Sequence, residues 1–158
     1  MANVDNPRGF RWHRRGGGNG SAYIAYFPIA DATEVDYGDP VKLTSGEVEV
    51  ADSNDAILGV AAVQHPPDGV IPGDWYKGLI GVMIADRDTE WVVQATSGEF
   101  STSDIGAKVD IEGSQGEKGV DLGTTTNGDF LVLGIHPNDE EGEDDARVIG
   151  RFVNTVMD

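Results

Sequence analysis

A chain of 158 residues is one domain's worth of polypeptide, and with no cysteine it excludes disulfides, thiolate metal sites and cysteine nucleophiles. The formal charge is −17, and a body that acidic repels nucleic acid and anionic membranes. The exception is the first fifteen residues, where four arginines outweigh Asp5.

In chain order, "NPRGFRWHRRGGGNG" (6–20) comes first. It sets Arg8, Arg11, Arg14 and Arg15 around Phe10 and Trp12 and then runs into glycine. The pattern reads as a flexible basic arm over residues 1–21, followed by a single body over residues 22–158. Fully extended, such an arm reaches at most ~65–70 Å. Arginine and tryptophan are the usual anchors of protein interfaces. An acidic protein surface with apolar pockets is therefore the expected partner, and removing residues 1–20 is expected to leave a folded body.

Beyond the arm, short apolar or alternating runs predict strands at 22–29, 41–43, 47–51, 57–63, 79–85, 90–96, 107–112, 120–122, 130–136 and 147–153. Turn clusters such as "YGDP", "TSG", "EGSQGEKG" and "TNGD" separate them. "STSDIGAKV" (101–109) predicts one helical turn, capped by Ser103 or Asp104 and ended by Gly106. "ILGV", "LIGV", "VLGI" and "VIGR" each place a glycine inside a strand, where it costs packing and backbone entropy. Bulges, sharp bends or close backbone approach repay that cost. The fold class that follows is all-β: a small curved β-barrel or sandwich with an extended N-terminal arm and little helix.

Catalytic signatures are missing. His13, His65 and His136 have no metal-ligand spacing, and no serine sits in a nucleophile elbow. Asp86, Asp88 and Glu90 alternate as a solvated hairpin end would, and the acidic run at 138–146 does not match a calcium loop. No cofactor, no metal and no catalytic residue are expected. No apolar run approaches the ~18 residues of a membrane span, and the start lacks a secretory core, so the chain reads as soluble and unprocessed. Trp91 reads as a core or subunit-contact residue. Trp75 and Tyr76, in the long "PPDGVIPGDWYKG" loop (66–78), read as a second interface, with sugar stacking as the alternative.

The opening "NPRGFR", followed by "GDPVKL" (38–43), "AILGVAA" (56–62), "SDIGAKVDI" (103–111), "FLVLGI" (130–135) and "ARVIGRFV" (146–153), resembles the small decoration, or cement, proteins of tailed-phage heads. The resemblance spans nearly the whole chain and rests on the order and spacing of turn-plus-strand motifs. It implies a non-enzymatic, β-rich protein of the outer capsid surface of the virion. Its implied partners are the major capsid protein and its own copies, as a trimer ahead of a dimer, with the N-terminal arm on the shell. The Trp-His-Arg-Arg insert with its glycine run and the loop at 66–78 depart from the family pattern. The competing expectation is a head-fibre or adsorption module that binds host-surface glycans through Trp75 and Tyr76.

Overall fold

The computed structural model describes residues 7–15, 21–30, 32–65 and 78–157. It is all-β. Among the described residues there are eleven strands: β1 (Arg11–Arg15), β2 (Ile24–Pro28), β3 (Pro40–Thr44), β4 (Glu47–Val50), β5 (Gly59–Ala61), β6 (Leu79–Ile84), β7 (Thr89–Ser97), β8 (Lys108–Glu112), β9 (Gly119–Asp121), β10 (Phe130–Ile135) and β11 (Arg147–Phe152). A 3₁₀ turn covers Thr102–Asp104. Its cap is Ser101, one turn earlier than the sequence pattern indicated, because the Asp104 carboxylate reaches back to accept the Ser101 N–H at 2.8 Å. Gly106, at φ +88°, ends it.

β7, β11, β10, β8 and β9 form a closed ring. All neighbours are antiparallel except β9 and β7, which close the ring in parallel through Ala95 and Val120. Period-two alternation sends Trp91, Val93 and Ala95 of β7 into the core with Val148 and Phe152 of β11 and Phe130 and Val132 of β10. Trp91 is completely buried there.

β1 adds to the edge of β7, and β2 to β6 make a second sheet in the order β2-β6-β5-β3-β4. Its end strands, β2 and β4, approach each other, so the sheet curls around a core of its own built on Val35, Val41, Val48, Leu58, Ile80 and Val82. Val60 and Met83 project from its opposite face into the barrel core. The barrel core therefore includes side chains from both sheets.

The strand glycines have the physical reasons expected of them. A Cβ on Gly59 would lie 2.1 Å from the Met83 carbonyl oxygen, and one on Gly150 would lie 2.1 Å from that of Leu131. Gly134 sits at a register shift between β10 and β11, and the Tyr26 ring covers Gly81 from the neighbouring strand.

The N-terminal division differs from the expected one. Residues 7–15 are built into the body, and Arg11–Arg15 is a strand that pairs antiparallel with Thr89–Val92. β7 is nine residues long, and β9 occupies only the C-terminal part of one edge. The N-terminal half of β7 carries β1 instead.

Candidate binding surface

Each residue of the expected arm has a defined place. Phe10 is fully buried, its ring 5.3 Å from Phe130 and 4.7 Å from Phe152, centroid to centroid. It is core, not a docking side chain. The reason is local: the Gly9 and Phe10 amides donate to the Lys118 and Gly38 carbonyls at 2.9 and 2.7 Å, which anchors the backbone before the ring turns inward. Trp12 packs against the same core. A register irregularity between Trp12 and Arg14 then turns the strand toward solvent.

Arg14 Nε donates to Glu90 at 2.7 Å and Arg15 Nη2 to Asp86 at 2.8 Å. The hydrogen bond and charge of Glu90 raise the Arg14 guanidinium further above its already high value. Both arginine side chains stay more than half exposed. Arg8 is exposed, whereas Arg11 is half-buried with its guanidinium carbon 4.5 Å from the centre of the Tyr37 ring. Trp75 and Tyr76, the second expected interface, lie outside the described residues.

Arg8 and Arg11 form one wall of a cleft of about 490 Å³. Tyr37 and Asp36 come from the turn before β3, Gln64 from the segment after β5, and Gln115 and Glu117 from the loop between β8 and β9. The walls are tied together from beneath by Asp39. Its buried carboxylate accepts the Asp36 N–H at 2.9 Å and the Gly116 N–H at 2.8 Å. Burial raises the Asp39 pKa, against the pull of those two amides and of Lys118, and the Asp36 charge adds to the rise. Gln115 Nε2 donates to Asp36 at 3.1 Å. Gly116 is obligatory in this arrangement: its φ is +78°, and a Cβ would fall 2.6 Å from the Asp36 carboxylate.

A second surface lies on β2. Ile24 and Tyr26, on one face of the strand, are 46% and 56% exposed, and Leu79 on the paired strand is 36% exposed; Tyr23, 65% exposed, precedes the strand. Residues 21–30, "SAYIAYFPIA", contain no charged side chain in a chain of net charge −17. The strand was expected, but its outward face was not. The absence of charge over ten residues of so acidic a sequence is the signal that marks it.

The acidic run between β10 and β11 is exposed at most positions, but Asp139 turns inward. It accepts the Arg147 backbone N–H, Nε and Nη2 at 2.6, 3.1 and 2.6 Å. Burial opposes ionisation of Asp139, and the Arg147 contacts outweigh it, so its pKa falls below the usual carboxylate range. Among the described residues, no group of three or more His, Asp or Glu is placed to hold a metal ion, and no helix is long and apolar enough to cross a membrane.

No family model, curated protein or solved structure matches the chain.

Proposed function

We propose that the protein is a non-enzymatic decoration protein of a tailed-phage head, bound to the outer surface of the capsid in contact with the major capsid protein and with its own copies. The observation that carries this reading is the charge-free, exposed face of β2, with Ile24 and Tyr26, on an otherwise acidic β scaffold. Contiguous exposed apolar surface on a folded domain marks an interaction site, and tyrosine supplies large contact area at low entropic cost. The order of turn-plus-strand motifs, which resembles that of decoration proteins, also supports the reading; in this chain those segments overlap β3, β5, β8, β10 and β11.

Shell stabilisation would follow from mass action. A ligand that binds the assembled lattice and not its separated subunits shifts the equilibrium toward the lattice. Copies that touch one another as well as the shell add their contacts, and multivalent placement makes the sum persistent. Arg8, Arg14 and Arg15 would meet acidic groups of the shell from the rigid edge of the barrel, in place of a loose tether. The remaining acidic surface would keep decorated particles apart.

The test is to mix the protein with expanded shells of the phage that encodes it and to image the particles. Regular density on the outer lattice is the expected result, lost with Ile24→Ser/Tyr26→Ser. Bare shells at saturating protein would overturn the reading.

A further inference from the structure

The cleft beside Tyr37 shares only Arg8 with the decoration reading, and its chemistry is specific. Two arginines, Arg8 and Arg11, and two acidic residues, Asp36 and Glu117, line it. In a chain of net charge −17, this hollow is locally balanced, so long-range electrostatics favours neither an anion nor a cation there. The remaining polar lining is amide, from Gln64 and Gln115. All six end in planar polar groups with donors or acceptors at fixed spacing. Tyr37, 46% exposed, adds an aromatic surface.

The site is also held in shape without a ligand. Arg11 is braced on the Tyr37 ring, and its Nη1 is buried with no hydrogen-bond partner. Asp36 is fixed by Gln115, and the loop of Gly116 is fixed by Asp39. Preorganised polar groups bind without the entropic cost of ordering them. The volume, about 490 Å³, falls within the usual range for small-molecule sites.

We propose that this cleft binds a neutral carbohydrate. A pyranose carries adjacent hydroxyls, each a donor and an acceptor, which match planar amide, carboxylate and guanidinium edges. It also has an apolar C–H face that packs on an aromatic ring. A phosphate or a polyanion would meet Asp36 and Glu117, and a metal ion would meet Arg8 and Arg11.

The experiment is a titration of the uniformly ¹⁵N-labelled full chain with methyl glucoside, methyl galactoside, N-acetylglucosamine and their β1→4 disaccharides, followed by amide shifts. Glucuronate and inorganic phosphate form the charged arm. Saturable shifts at Tyr37, Gln115 and Gly116 with at least one neutral sugar are expected. Gln115→Ala, on an exposed loop, and Tyr37→Ala are each expected to weaken binding about tenfold, the equivalent of one good contact. Tyr37→Phe keeps the ring and is expected to retain binding. The proposal fails if no neutral sugar moves these amides, or if phosphate or glucuronate does so more strongly. It also fails if Trp75→Ala abolishes sugar binding while the two cleft variants leave it intact.

Discussion

The rings of Phe10 and Phe152 lie 4.7 Å apart, tilted by 49°, so the residue just before the first strand is locked against the end of the last strand. Phe130 completes the cluster at 5.3 Å from Phe10 and 5.5 Å from Phe152. Phe10→Ala is expected to cost about 3–5 kcal/mol, the usual range for emptying a buried phenylalanine site. A lowered urea midpoint at unchanged slope would register it. Removing residues 1–15 is expected to destabilise the body at least as much. A truncated protein that melts like the full chain would show that Phe10 contributes nothing to the core.

Gly150 and Gly134 are expected to respond oppositely to the same change. Gly150→Ala drives a methyl group into the Leu131 carbonyl and the Phe130 ring, so a loss of about 1–3 kcal/mol is expected. Gly134→Ala meets nothing within 4 Å and is expected to stay within about 0.5 kcal/mol of the parent. Paired thermal melts decide it, and equal shifts in the two variants would contradict the strand contacts.

Two buried carboxylates pull the pH profile of stability in opposite directions. Asp139 has a folded pKa below its unfolded value of about 3.9, so its contribution is present above that pH and lost as the pH falls through the folded value. Asp139→Ala is expected to cost about 1–3 kcal/mol at neutral pH, because the Arg147 amide and guanidinium lose their acceptor. Asp39 has a folded pKa above its unfolded value. The native state then holds more protons than the unfolded one between the two values, and stability falls as the pH rises through that window. Asp39→Asn is expected to remove this fall. Urea titrations across the acid range measure both, and a parent-like slope in Asp39→Asn would refute its role.

Shell binding is expected to weaken when Arg8, Arg14 and Arg15 are replaced by serine, and its salt dependence is expected to flatten. Arg11 is left in place because it is packed on Tyr37. Co-sedimentation with expanded shells at increasing salt reads the effect. An unchanged salt profile would place the attraction elsewhere on the surface.

The strands after residue 21 were legible because their apolar runs are short, β-branched and bounded by glycine turns. The in-strand glycines pointed correctly to close approach and bulging. β1 was hidden by its own charge: five residues with three arginines read as a solvated arm. Its signal was the alternation of Phe10 and Trp12 with Arg11 and His13, together with Asp86 and Glu90 in "ADRDTEW" waiting for Arg15 and Arg14. Pairing at that separation cannot be deduced from local pattern, since only the register of β1 on β7 brings the charges together. The Tyr37 cleft was illegible for the same reason. Its residues come from four separate stretches, brought together by hydrogen bonds such as those of Asp39 and Gly38 and the Gln115–Asp36 and Gly9–Lys118 bonds, between residues far apart in the chain.

The shared edge of β7 also constrains time. Arg14 finds Glu90 seventy-six residues further along the chain, and β7 in turn needs β11, which is translated last among the strands. The ring therefore has no stable nucleus within its early sequence. Chains dominated by such distant pairings fold in about milliseconds to seconds, far slower than locally wired helical domains. During synthesis, Phe10 and Trp12 leave the ribosome long before the cavity that receives them exists. That interval, not the finished fold, is when this protein is most exposed to aggregation and to capture by chaperones.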